Sequence, residues 1–241
     1  MSEAAVSRRA NLSSPQHSYA RLAGLMFLLV LAFDIAGVIV GFFVAGDGDF
    51  ADRAHRIVAS ETLYRLSLML GLAGALSTVP LAIGLYVTVK PIDPNLAVIG
   101  LAFRALEAAI GAVAIVGSFS AHEVYRAGAG ESAYNAAQLG VLQQLAESGA
   151  GTSVAAIFFC IGSTVFFYLL SRSAYIPRLL SLWGVFSSLV YLAYWWFGLV
   201  VPDYPGAVII AASLPILVAE VSTGLWLLIK GIKTSPTADY Q

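Results

Sequence analysis

The sequence predicts an all-α integral membrane protein: a bundle of six transmembrane helices, both termini cytoplasmic, with a short amphipathic helix in the long outer loop. Three observations carry this. The 241-residue chain is 59% hydrophobic and only 11% charged, against about 45–50% and about 25% in soluble domains. Its charges are segregated. Residues 66–89, 148–171 and 179–202 carry none, 22–46 carries only Asp34, 94–122 only Arg104 and Glu107, and 204–229 only Glu220. Each run exceeds the roughly 20 apolar residues that cross a bilayer core as a helix. Finally, the basic residues fall unevenly between the two sets of loops. Arg8, Arg9, Arg21, Lys90, Arg172, Arg178, Lys230 and Lys233 face Arg53, Arg56 and Arg126, so the positive-inside rule puts both termini in the cytoplasm. Such a composition excludes a soluble enzyme and a disordered chain. A net charge of −1 leaves no basic surface for nucleic acid.

Residues 1–19 read as a cytoplasmic tail, expected to be disordered. Residues 20–232 form the transmembrane domain and 233–241 a second cytoplasmic tail. The runs are continuous rather than alternating, which favours helices over a barrel. The first span, 22–46, has no A-x-A site at its end and is too long for a cleaved signal. The second covers 64–90 and contains Pro80. Pro91 and Pro94 then punctuate a tight turn into the third, 95–121.

The one long loop follows, on the outer side. Ala127–Gly130 breaks it, and Tyr134, Val141, Leu142 and Leu145 recur at helical spacing within 132–146. That pattern predicts an interfacial helix, with a lid over an outward cavity as the functional alternative. The fourth span is 149–171, and Pro177 marks the turn into the fifth, 178–201. Tyr191, Tyr194, Trp195, Trp196 and Phe197 form an interfacial aromatic cluster at the outer end of that span. The sixth, 206–230, contains Pro215 and Glu220. The outer side also collects Asp47, Asp49, Asp52, Glu61, Glu123, Glu131, Glu147 and Asp203, which makes it acidic.

Charges within the spans are the candidate site. Burying one near the bilayer centre costs about 2.5–3.5 kcal/mol even on insertion scales, so it needs a partner or a purpose. At about 1.5 Å per residue, Arg104 and Glu220 lie roughly 15 Å from the inner edge, and Asp34 and Glu107 roughly 20 Å. Glycines share their faces: Gly37 and Gly41 with Asp34, Gly111 with Arg104 and Glu107, Gly224 with Glu220. Close helix approach on those faces turns the charges inward. Arg104 is expected to pair with Glu220, and with Glu107 or Asp34 as a second acceptor. These four are the candidates for binding a ligand or a proton. Glu61 and Arg65, at i and i+4, form an expected ion pair at the outer end.

Other motifs point to no catalytic residue, no cofactor and no metal. Gly46-Asp47-Gly48-Asp49 spells the GxGD of intramembrane aspartyl proteases, but it follows the first span directly and reads as a turn. His17, His55 and His122 all lie outside the deep parts of spans. His55 and His122 with Asp52 or Glu123 form the one zinc set worth testing. Cys160 is alone, which excludes an intrachain disulfide. Ser153, Ser163 and Ser213 are the thin candidates for a nucleophile.

Several stretches resemble a bacterial family of six-helix membrane proteins known as domain of unknown function 4386. They are Ala20-Arg-Leu-Ala-Gly, Ser60-Glu-Thr-Leu-Tyr-Arg65, Phe103-Arg-Ala-Leu-Glu107, Ser171-Arg-Ser-Ala-Tyr-Ile-Pro-Arg178, and Ala219-Glu through Trp226-Leu-Leu-Ile-Lys-Gly231. The chain departs from the family pattern at Gly71, where an acidic residue often stands, so the resemblance implies no ligand site shared through the second span. It does imply the six-helix fold, a bacterial cytoplasmic membrane and no established activity. It also places Glu61, Arg65, Arg104, Glu107 and Glu220 in a common pattern. The expected function is therefore a non-enzymatic membrane protein. Its partners are the lipid bilayer and either other membrane proteins, as an accessory subunit, or a small amphiphilic molecule. A proton-coupled small-solute transporter is the alternative, and an intramembrane enzyme comes third.

Overall fold

A computed structural model describes residues 3–130, 134–146, 150–201 and 207–233. Among them the chain forms eight helices and no strand: α1 (Glu3–Ala45), α2 (Phe50–Ala59), α3 (Glu61–Val89), α4 (Pro94–Ala129), α5 (Ala136–Ala146), α6 (Ala150–Ser173), α7 (Arg178–Val200) and α8 (Ala207–Ile229). Six of them, α1, α3, α4, α6, α7 and α8, are long and apolar enough to cross a bilayer. The protein is a multi-pass membrane protein of all-α class. Glu131, Glu147, Asp203 and the tail 234–241 lie outside the described residues.

Three differences from the sequence expectation have local causes. First, α1 begins at Glu3, so residues 3–19 are helical rather than a disordered tail. Glu3 to Ala10 is rich in good helix formers, and extending a helix that the apolar run already nucleates costs little. Second, α4 continues past 121 to Ala129, because nothing between His122 and Ala127 breaks a helix. Third, α2 stands where a loop was expected. Asp49 caps it, its carboxylate accepting the Asp52 N–H at 2.9 Å. Its Ala54 and Ile57 face inward. The GxGD segment is the turn before this helix, with Gly46 and Gly48 at φ +59° and +132°. Arg56 reaches back from α2 and donates to the Ala45 carbonyl at 2.8 Å and to that of Asp47, capping the end of α1.

The described chain divides into two compact units. One comprises residues 1–29, 77–107 and 156–241, the other 30–76 and 108–155. In the first, glycines let helix backbones touch. A Cβ at Gly24 would meet the Gly224 carbonyl oxygen at 2.7 Å, and one at Gly84 the Tyr19 carbonyl oxygen at 2.9 Å. Leu81, Leu85, Phe166, Phe167, Leu169, Leu170 and Leu227 fill the interior. Helix α7 packs on α8, where the Trp183 indole donates to the Pro215 carbonyl at 3.1 Å.

In the second unit, α1 packs on α3 through Gly37, whose Cβ would meet the Ser67 carbonyl oxygen at 3.0 Å, and Gly41, against the Ser67 hydroxyl. Val44, Ala54, Ile57, Tyr64, Ala121 and Tyr125 form its core, with Phe50 packed against them. Helix α5 lies on α2. It buries Leu139 and Gln143 and exposes Val141 and Leu145.

Candidate functional site

Arg104 is the largest fully buried side chain in the protein's described part, at 1% exposure. Ten residues into α4, it lies about 15 Å along the helix from Pro94. Its Nη1 is 3.0 Å from Glu107 Oε2 one turn on and donates to the Ser163 hydroxyl of α6 at 3.3 Å. The guanidinium carbon sits 4.8 Å from the centroid of the Phe159 ring. Gly162 leaves the room: a Cβ there would lie 2.9 Å from Arg104 Cγ. Thus Phe159, Gly162 and Ser163, at i, i+3 and i+4 on α6, supply a ring, a gap and an acceptor for one guanidinium. Its Nε is buried with no hydrogen-bond acceptor among the described residues.

Glu220, on α8, is buried to 7% exposure. Cys160 of α6, next to Phe159 in sequence, is buried in the same unit. Tyr191 of α7 meets the Phe159 ring edge-on, with centroids 6.2 Å apart. It stacks on Tyr194, with ring centroids 6.0 Å apart, and meets Trp195 edge-on. The Arg104–Glu107 contact matches the second-acceptor expectation. Sequence reasoning missed Phe159, placed Tyr191 among the interfacial aromatics, and named Ser163 only as one of three thin candidates for a nucleophile. Here the Ser163 oxygen accepts from a cation, a positioning role. Ser213 donates to the Ile210 carbonyl of its own helix.

Asp34 belongs to the other unit. Its residue is exposed, against the inward orientation inferred from glycine spacing. Its carboxyl lies in the space that Gly74 of α3 leaves open, where any Cβ would strike it.

The second unit holds its own charged cluster. Glu61 and Arg65 pair at 2.9 Å as expected. Glu61 also faces Nε2 of His122 at 3.7 Å, while Nδ1 of that ring faces Glu123 at 3.7 Å and Glu123 pairs with Arg126 at 3.5 Å. The His122 ring is 1% exposed and stacks on Tyr64 at 5.6 Å. His55 is exposed on α2, and no group of three His, Cys, Asp or Glu among the described residues is arranged to hold a metal ion. His122 is a packed ring within an ionic chain.

A third feature is a groove of about 540 Å³ between Ile161 of α6 and Leu189, Leu192, Ala193, Trp196, Phe197 and Val200 of α7. Its size falls within the roughly 300–1,000 Å³ of small-molecule sites. Ile161 adjoins Cys160 in sequence, and Trp196 adjoins Trp195.

No curated protein and no solved structure matches the chain. One family does, over residues 22–231, a range that takes in all six apolar spans almost whole, Arg104, Glu107, Glu220 and the groove. On that match the chain belongs to the family described as Domain of unknown function (DUF4386).

Proposed function

We propose that this protein is a non-enzymatic component of the bacterial cytoplasmic membrane that binds a small amphiphilic ligand. The α6–α7 groove carries this reading. Its lining is almost entirely apolar and it is wide enough for a hydrocarbon moiety, which suits the apolar part of an amphiphile. The eight-to-three distribution of basic residues supports cytoplasmic termini. Glu220 serves as the second counter-ion of Arg104, and the resulting ionic cluster fixes α4, α6 and α8 behind the groove.

The test is purification in mild detergent followed by mass spectrometry of retained small molecules, for the natural chain and for Ala193→Trp, which fills the groove. A retained amphiphile that disappears in the filled variant supports the proposal. Retention unchanged by the filling, or no retained molecule, overturns it. A partner protein that co-purifies instead would favour the accessory-subunit role.

Proton-coupled transport of a small solute is the second reading, favoured by the uncommitted Nε of Arg104 in a unit that also holds the half-buried Glu107 and the buried Glu220. It requires uptake into proteoliposomes driven by a pH gradient, lost in Glu220→Gln.

A further inference from the structure

Cations on aromatic rings recur in the first unit; in the second, Arg53 also lies over Tyr125, at 5.7 Å. In the second, Arg65 and Arg126 pair with carboxylates. In the first, Lys90 lies over Tyr86 at 5.5 Å, Arg172 over Tyr168 at 5.8 Å, and Lys230 and Lys233 both over Trp226, at 4.5 and 5.8 Å. None of these four shows an ion pair with a carboxylate among the described residues, whereas Arg104 of the same unit pairs with Glu107. Two ammonium groups on one indole repel each other, and a cation–π contact gives each only about 0.5–2 kcal/mol.

The convergence on Trp226 is built into the backbone. Helix α8 ends as Gly231 turns left-handed at φ +66°, its N–H bonded to the Leu227 carbonyl at 3.0 Å. Ile232 is then buried, and the Lys233 N–H donates to the Tyr175 carbonyl at 3.1 Å. That bond ties the end of α8 to the turn between α6 and α7, so Lys233 is held within reach of the ring. The imidazole of His17 packs flat against Gly231, where no side chain could fit. Gln16 beside it donates to the Thr88 carbonyl at 2.7 Å and to the Tyr175 hydroxyl at 3.0 Å, which fixes this part of α1. The Trp226 indole N–H is buried without an acceptor among the described residues. The site therefore gathers two ammonium groups and an indole N–H, with no carboxylate paired to them among the described residues.

An anion is the chemistry that completes such a site. The residues stand at the ends of membrane-spanning helices, where lipid phosphates lie. We propose that Lys230, Lys233 and Trp226 bind the phosphate of an anionic membrane lipid. The lipid bridges the two ammonium groups and relieves their repulsion. This site is separate from the α6–α7 groove, and neither depends on the other.

The full chain in phosphatidylcholine nanodiscs, doped with increasing phosphatidylglycerol, gives the test. Native mass spectrometry reads the bound lipid and a thermal melt reads the protection. A phosphate contact near the surface is worth about fivefold in affinity per lysine. Lys230→Gln with Lys233→Gln should therefore weaken phosphatidylglycerol binding about 25-fold, while Lys90→Gln changes it less than twofold. Trp226→Phe keeps the ring face but not the N–H and should weaken binding without abolishing it. Inorganic phosphate added to phosphatidylcholine nanodiscs should give no protection. The proposal is overturned if Lys90→Gln weakens binding as much as the double variant, since the effect would then be diffuse surface charge. It is equally overturned if free phosphate protects as well as the lipid, or if the double variant binds phosphatidylglycerol normally.

Discussion

Replacing Arg104 by Ala should be the most damaging single change to the first unit. At 3.0 Å from Glu107, with an effective dielectric of about 20, the attraction amounts to roughly 5 kcal/mol. The hydrogen bond to Ser163 and the contact with Phe159 add to it. Desolvation of the guanidinium opposes these gains, but truncation does not recover it cleanly, because it leaves the half-buried Glu107 and the buried Glu220 behind. The expected loss is therefore about 3–5 kcal/mol, the usual penalty for stranding one member of a buried pair. Denaturation by sodium dodecyl sulfate in lipid–detergent mixed micelles measures it. Arg104→Met combined with Glu107→Gln should regain most of the stability, since it keeps the volume and leaves only Glu220 to accommodate. Adding Glu220→Gln should regain the rest. If Arg104→Ala unfolds within about 1 kcal/mol of the natural chain, the guanidinium does not neutralise these carboxylates and the cluster has been misread. A double variant no better than Arg104→Ala would refute the charge argument and leave packing against Phe159 and Gly162 as the cause.

Four other outcomes follow from the same geometry. Ser163→Ala removes one interhelical hydrogen bond and should cost only about 0.6–1.7 kcal/mol by the same titration. Gly24→Val places a branched side chain against the backbone of Gly224 and Leu227 and should abolish folded yield, read by size-exclusion chromatography, whereas Gly71→Ala, near only the tip of Ile115, should fold normally. His122→Phe should keep stability within about 1.5 kcal/mol because the stack on Tyr64 survives, while His122→Ala opens a cavity and should lose about 2–4 kcal/mol. In a Cys160→Ala background, single cysteines at Lys233 and Val141 should react with an impermeant maleimide from opposite sides of the membrane; same-side labelling would refute the six-span topology.

How much of this was legible in the sequence depends on which coordinate is asked for. Depth along a helix is a fixed ruler, about 1.5 Å per residue, so counting from Pro94 and Lys230 puts Arg104 and Glu220 at one level and Glu107 about one turn deeper. The direction a helix face points has no such ruler. Gly37 and Gly41 do mark a close approach, as expected, but it is to Ser67 on α3, and Asp34 on the same stripe ends over Gly74. Spacing says that a face is small; only packing says against what. The same limit explains Glu61. Its partner Arg65 is four residues away and obvious, whereas His122 is far along the chain and reaches it only because α3 and α4 meet at Tyr64.

Helix ends failed for another reason. Charge was read as the end of a helix when it is only the end of the apolar run. Helix α4 carries His122, Glu123 and Arg126 into its last turns without losing a backbone bond, because polar side chains at the membrane edge cost nothing that the helix itself must bear. Short helix α2 is the converse case. Three charges in ten residues hid it, yet Asp49 is a strong N-cap, and Phe50, Ala54 and Ile57 recur at i, i+4 and i+7. That spacing was present to be read. Its consequence is structural rather than cosmetic, since the helix it builds supplies Arg56 to cap α1 and Phe50 to cover Gly128, and so closes the second unit over Tyr125.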